Sequence, residues 1–171
     1  MRKIHTHIAN TIPTAEGAIE IAISETPVTI HGSKCLVLGY GKIGKILTKD
    51  LCGIGAETYA AARKYADLAM IEGHGYEPLP VSGLEGRINE FDIIFNTVPA
   101  LILDDKILSR VRKDALIIDL ASKPGGVDFE AAKSHGLRVI WALGLPGKIA
   151  PITSGAIIKD TIMNIINELG V

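Results

Sequence analysis

Apolar and polar positions along the chain follow two periods, and the switches between them mark the predicted elements. Ala15, Ala18, Ile19, Ala22 and Ile23 sit at the i, i+3, i+4, i+7, i+8 spacing of one helix face. Pro13 and Thr14 open this helix, with Thr14 as its N-cap, and Pro27 stops it. After a turn at His31-Gly32, Lys34 to Leu38 reads as a short buried strand. Ile43, Ile46, Leu47 and Leu51 restore helical spacing as far as Gly53. A strand follows from Glu57 to Ala61, then a weaker helix from Lys64 to about Glu72, then a short strand around Tyr76 to Leu79.

The second half alternates more clearly. Asp92 to Asn96, Ala115 to Asp119 and Arg138 to Ala142 read as strands. Asp105 to Val111, a helix capped by Asp128 and ended by Gly136, and Thr153 to Leu169 read as helices. Short apolar runs separated by amphipathic helices predict a parallel sheet covered on both faces. Six such strands with a glycine loop after the first predict an α/β, doubly wound Rossmann sheet of strand order 3-2-1-4-5-6. Residues 1–27 are expected to form a linking segment and helix, and residues 28–171 the nucleotide-binding domain.

Composition narrows the partners. A chain of 171 residues fits one domain at roughly 150 residues per domain. Its 18 basic and 19 acidic side chains leave a net charge of −1, which gives no electrostatic reason for nucleic acid or an anionic membrane as partner. No signal peptide or membrane-spanning run is visible, so the protein is expected in the cytoplasm. Cys35 and Cys52 both fall in apolar surroundings and are expected to be reduced core thiols. His5-x-His7 would suit a metal only if further ligands converged, and the expectation is no metal site.

The chemistry concentrates in Gly39-Tyr40-Gly41-Lys42-Ile43-Gly44, which follows a predicted strand and opens a predicted helix. In that setting GxGxxG is a dinucleotide fingerprint. Gly39 makes the tight turn, Gly41 lets a pyrophosphate approach the backbone, and Gly44 lets helix and strand pack closely. A dehydrogenase selecting NAD usually places Asp or Glu about twenty residues further on, against the ribose hydroxyls. That point falls here at Ala62, followed by Arg63 and Lys64. Two cations where a 2′-phosphate would lie favour NADP, with Arg63 able to make a bidentate contact.

The switch-point rule places the nicotinamide end beyond the fourth and fifth strands, at Asn96-Thr97-Val98-Pro99 and at Ala121. Ser122 and Lys123 in the next loop, and Lys148 in the Gly144–Pro151 loop after the sixth strand, are candidates for holding an acidic substrate.

These motifs resemble a known family. Asn10-Thr11-Ile12-Pro13-Thr14-Ala15-Glu16-Gly17, Thr29-Ile30-His31-Gly32-Ser33, the glycine loop, Asn96-Thr97-Val98-Pro99, the run from Asp119 to Phe129 and the run from Gly144 to Pro151 together resemble the C-terminal part of the dipicolinate synthase A subunits of spore-forming bacteria. More distantly the chain is similar to the nucleotide domains of 2-hydroxyacid, shikimate and methylenetetrahydrofolate dehydrogenases. The resemblance implies an enzyme working with the flavoprotein subunit of the synthase, which oxidises a dihydrodipicolinate-type cyclic dicarboxylate to dipicolinate during sporulation, with hydride passing to NADP. The family's glycine loop falls on Gly39, Gly41 and Gly44, and its phosphate-selecting cation on Arg63. The family also carries another α/β domain ahead of Asn10, with the substrate cleft between the two. This chain is therefore expected to bind NADP but to turn over substrate poorly alone, and self-association is expected through the apolar residues of its first helix.

Two other readings compete. A shikimate- or methylenetetrahydrofolate-type dehydrogenase would use the same cofactor domain. A non-catalytic nucleotide-sensing module would usually carry an acidic residue at the tip of the second strand and lack the helix before the first, and both features argue against it.

Overall fold

The computed structural model describes residues 10–169. Six parallel strands form one sheet: β1 (Lys34–Leu38), β2 (Glu57–Ala62), β3 (Glu77–Pro80), β4 (Ile93–Asn96), β5 (Leu116–Asp119) and β6 (Arg138–Trp141). Their order is 3-2-1-4-5-6, as the alternation of the sequence predicts. Residues of β1, β4 and β5 point alternately to two faces, and both faces are covered. Cys35, Val37, Ile93, Phe95, Leu116 and Ile118 enter one core cluster, and Leu36, Leu38, Ile94 and Ile117 the other. Strands buried on both sides carry continuous apolar sequence, which is why they are legible without alternation.

The first cluster packs beneath α1 (Thr11–Glu25) and α2 (Lys42–Ile54), through Ala15, Ala18 and Ala22 of the former and Leu47 and Leu51 of the latter. The expected start of α1 needs correction. The helix begins at Thr11, not after Thr14, and the Thr14 hydroxyl donates back to the Asn10 carbonyl at 2.7 Å. Pro13 sits inside the first turn, where its missing N–H has no intrahelical acceptor to lose. Ile23, expected on the buried stripe, is 59% exposed. Cys52 is also exposed, because Leu51 takes the inward position and the next helical residue turns about 100° away. His5 and His7 lie outside the described residues.

On the same face as α1 and α2, α3 (Tyr65–Gly73) connects β2 to β3, with Ile71 buried against Ala60 and Ala62. Between β3 and β4 the chain makes short helical turns, including α4 (Leu84–Arg87), that bury Leu84, Ile88 and Phe91. Their i, i+4, i+7 spacing escapes a sequence reading because Gly86 interrupts it. α5 (Asp105–Leu108) is a single turn rather than the helix to Val111 expected from the pattern, and Asp104 caps it. α6 (Phe129–Ser134) has the Asp128 cap as expected, its carboxylate accepting from the Ala131 N–H at 3.0 Å.

The segment after β6 is not the expected open loop. α7 (Leu145–Ile149) forms there and packs on α1 at Gly17, where a Cβ would lie 2.9 Å from Ile149 Cγ1 and 3.2 Å from Leu145 Cβ. α8 (Pro151–Leu169) follows, starting two residues before the expected Thr153. No helix among the described residues is long and apolar enough to cross a membrane.

Candidate functional site

The site grows from the junction of β1 and α2. Gly39 leaves β1 with φ +94°, and a Cβ there would lie 2.6 Å from Thr97 Oγ1 and 2.7 Å from Val98 Cγ2. At Gly44 a Cβ would lie 2.0 Å from the Gly39 carbonyl oxygen, so α2 can start this close to the strand only with glycine at that position. Gly41 differs from both. It is the N-cap of α2, no side chain caps the helix, and a Cβ on it would meet nothing within 4 Å. The uncapped N–H groups of the first turn therefore face open space, an arrangement suited to a pyrophosphate.

Tyr40 is buried and fixes the loop from behind. Its hydroxyl is hydrogen-bonded to His74 Nδ1 at 2.8 Å, and Lys45 Nζ stands 5.5 Å from its ring centroid. Burial, followed by the neighbouring Tyr76, pushes the Tyr40 phenol above its ordinary value.

A cleft of about 360 Å³ opens in front of this loop. It brings together Gly39, Tyr40 and Gly41, the β2 tip at Arg63 and Lys64, and Thr97, Val98 and Pro99 beyond β4. No salt bridge among the described residues engages Arg63 or Lys64. Asp67, Val81 and Ile102 also line the cleft, and the sequence reading missed all three. Asp67 lies in the first turn of α3, directly after the Arg63–Lys64 tip. Val81 opens a 3-10 turn and Ile102 lies in an irregular segment, and neither carries a periodic signal. A second opening of about 310 Å³ adjoins the first, lined by Thr11, Gly41, Lys42, Ile43 and Thr97. Thr11 joins the site because α1 begins four residues earlier than expected.

The remaining expected residues lie around this pair of openings. Ala121 is buried, while Ser122 and Lys123 are exposed on the loop after β5. Lys148 is exposed on α7 and lines neither opening. Asn96 is fully buried, and its side chain turns to Asp119 and Val98 rather than outward. No group of three or more His, Cys, Asp or Glu that could hold a metal occurs among the described residues.

A doubly wound sheet with a glycine-turned, uncapped helix start facing the switch-point cleft defines a Rossmann nucleotide-binding domain. The chain belongs to the Shikimate / quinate 5-dehydrogenase family, whose sequence pattern matches residues 20–141. It is similar to the A subunit of dipicolinate synthase from Bacillus subtilis (strain 168), with 40% identity over 162 residues, 95% of this chain and 54% of that protein. The crystal structure of the B. subtilis protein superposes with a TM-score of 0.95 at 39% identity, covering 97% of this chain and 56% of that one. Its counterpart from Bacillus halodurans gives a TM-score of 0.92 at 38% identity, covering 94% and 55%. The chain thus spans about half the length of the relatives it matches. Dehydrogenase relatives on this fold imply a nicotinamide nucleotide cofactor, and the bare Gly41 backbone fits one.

Proposed function

We propose that this chain is the nucleotide-binding part of an NADP-dependent oxidoreductase. With a flavoprotein subunit, the enzyme converts a dihydrodipicolinate-type cyclic dicarboxylate to dipicolinate during sporulation. Residues 28–171 form the nucleotide-binding domain and residues 1–27 link it to the rest of the enzyme, which works in the cytoplasm. One observation carries the cofactor assignment: an uncapped helix start shares a cleft with two cations that no carboxylate among the described residues pairs. The absence of a carboxylate at Ala62 removes the group that would hold a ribose 2′-hydroxyl and repel a 2′-phosphate.

In this reading Gly39, Gly41 and Gly44 shape the loop, and the N–H groups of Lys42, Ile43 and Gly44 face the pyrophosphate. Arg63 and Lys64 bind the 2′-phosphate, while Thr97, Val98, Pro99 and Ala121 form the wall toward the nicotinamide. Tyr40 braces the loop and Asn96 the wall. The bound cofactor supplies the hydride acceptor. Ser122, Lys123 and Lys148 attract the dicarboxylate. Because the chain spans about half of its relatives, substrate turnover is assigned to the assembled enzyme and nucleotide binding to this part. A second copy of the chain is a further partner, supported by Ile12, Ile23 and Ile54 exposed along the α1–α2 groove.

Calorimetric titration of the chain with NADP and NAD tests the reading, using wild type and Arg63→Ala. NADP is expected to bind more tightly, and loss of Arg63 should weaken NADP by roughly 10- to 100-fold while sparing NAD. Tighter NAD binding would overturn the cofactor assignment. The family match favours a shikimate-type dehydrogenase as the second reading. Turnover of shikimate but not of the cyclic dicarboxylate by the assembled enzyme would select it.

A further inference from the structure

The loop after β5 is held by a group that touches neither opening. Asp119 ends β5 with 0% exposure, and its carboxylate accepts three hydrogen bonds. Asn96 Nδ2 donates to Oδ1 at 2.8 Å, the Ala121 N–H to Oδ1 at 3.0 Å and the Gly126 N–H to Oδ2 at 2.9 Å. Asn96 closes the network on the neighbouring loop, donating to the Val98 carbonyl at 3.0 Å and accepting from the Val98 N–H at 3.1 Å. Val98 lines the cofactor cleft. One carboxylate therefore ties the cofactor wall to the segment carrying Ser122 and Lys123.

The packing around it is tight. A Cβ on Gly126 would lie 2.2 Å from Asn96 Nδ2 and 2.5 Å from the Val98 carbonyl oxygen. Gly125 has φ +88°, and a Cβ there would lie 2.9 Å from Asp119 Oδ2 and 3.5 Å from Trp141 Cζ2. Trp141 Nε1 donates to the Ala121 carbonyl at 3.0 Å, so the indole grips the same loop from β6. A buried carboxyl group that accepts from one side-chain and two backbone donors defines loop geometry more sharply than an apolar contact could, since any shift leaves a donor unpaired in a dry environment.

We propose that Asp119 is the positioning residue of the nicotinamide end of the site, setting the loop 121–126 against the Thr97–Pro99 wall through Asn96, Ala121 and Gly126. This rests on the cofactor reading above, because it assigns that end of the cleft to the nicotinamide. The adenylate end, at Arg63 and Lys64, lies on the other side of β1 and is outside the network.

The test uses the full chain with two probes. Adenosine 2′,5′-bisphosphate reports the adenylate end alone, and NADPH reports both ends. In Asp119→Asn an amide N–H replaces one acceptor and faces a backbone donor. Bisphosphate affinity is expected to stay within about twofold, while NADPH weakens by at least about tenfold. The emission of Trp141, the one tryptophan of the chain, should shift to longer wavelength as the loop is released. Equal losses for both probes, or an unchanged Trp141 spectrum, would overturn the proposal. Should this variant fail to fold, amide exchange of the wild-type chain decides instead. The Ala121 and Gly126 N–H groups should exchange as slowly as those of β5, and fast exchange would count against Asp119. If neither nucleotide binds the wild-type chain, the cofactor reading falls, and Trp141 emission with amide exchange still judges the network.

Discussion

Asn96 and Asp119 occupy matched positions at the ends of neighbouring strands β4 and β5, in register with each other, and their side chains are hydrogen-bonded at 2.8 Å with no solvent contact. The pair works only as amide donor and carboxylate acceptor. Asn96→Asp sets two carboxylates against each other in a buried pocket, so one must be neutralised or the loops must part. A loss of about 3 kcal/mol or more at neutral pH is expected in urea unfolding, and acidification should recover part of it by protonating one partner. Stability within about 0.5 kcal/mol of wild type would show that the network is slack.

The glycines of the loop separate into structural and binding positions. Gly44→Ala drives a Cβ to within 2.0 Å of the Gly39 carbonyl oxygen and should destabilise the fold by about 1–3 kcal/mol or more. Gly41→Ala adds a methyl into open space, so its unfolding free energy should change by less than about 1 kcal/mol. The same methyl would stand where the pyrophosphate approaches, and NADP affinity should fall by at least about tenfold. Gly41→Ala binding as tightly as wild type would contradict that placement of the pyrophosphate.

The sheet was legible because each strand is a run of four to six residues, and the central strands are apolar throughout and buried on both faces. The glycine loop located the switch point. What escaped was set by tertiary contact. The start of α1 at Thr11 depends on its packing, since Pro13 and Thr14 read locally as a helix opening. α7 forms in a segment rich in Gly and Pro because Gly17 on α1 leaves room for Leu145 and Ile149, a partnership more than a hundred residues apart. Within the site, residues on the loop and strand tips were found by motif, whereas Val81 and Ile102 carry no local signature. Asn96 and Asp119 stand at the ends of their strands in sequence, but only the register turns their side chains toward each other.

Association is expected to run through the α1–α2 groove. Ile12, Ile23 and Ile54 are 51%, 59% and 41% exposed there, so replacing them removes no core contact. Sedimentation of the chain should give a species of twice its mass, and Ile23→Asp combined with Ile54→Asp should raise the dissociation constant on the order of 100-fold, with an unchanged thermal midpoint at concentrations where both proteins are monomeric. A wild-type chain that stays monomeric at tens of micromolar would rule this interface out.

The two cysteines should differ sharply in reactivity. Cys35 lies in the middle of the sheet with 0% exposure, and burial, with Asp92 adding a smaller push, raises its thiol from 9.0 to about 12. Cys52 is exposed on α2. A disulfide reagent at about pH 8 should therefore modify one thiol per folded chain, and Cys52→Ser should abolish that fast phase. The raised Cys35 value also fixes a direction for stability. The unfolded chain loses this proton near pH 9 and the folded chain only near 12, so the contribution is complete below pH 9 and is lost progressively as pH climbs through that window. Buried Tyr40, also shifted upward, adds to the same alkaline loss. Cys35→Ala carries no titrating group, so its unfolding free energy should fall less steeply above pH 9 than that of wild type. Parallel slopes for the two proteins would show that Cys35 ionises in the folded state as readily as in the unfolded one.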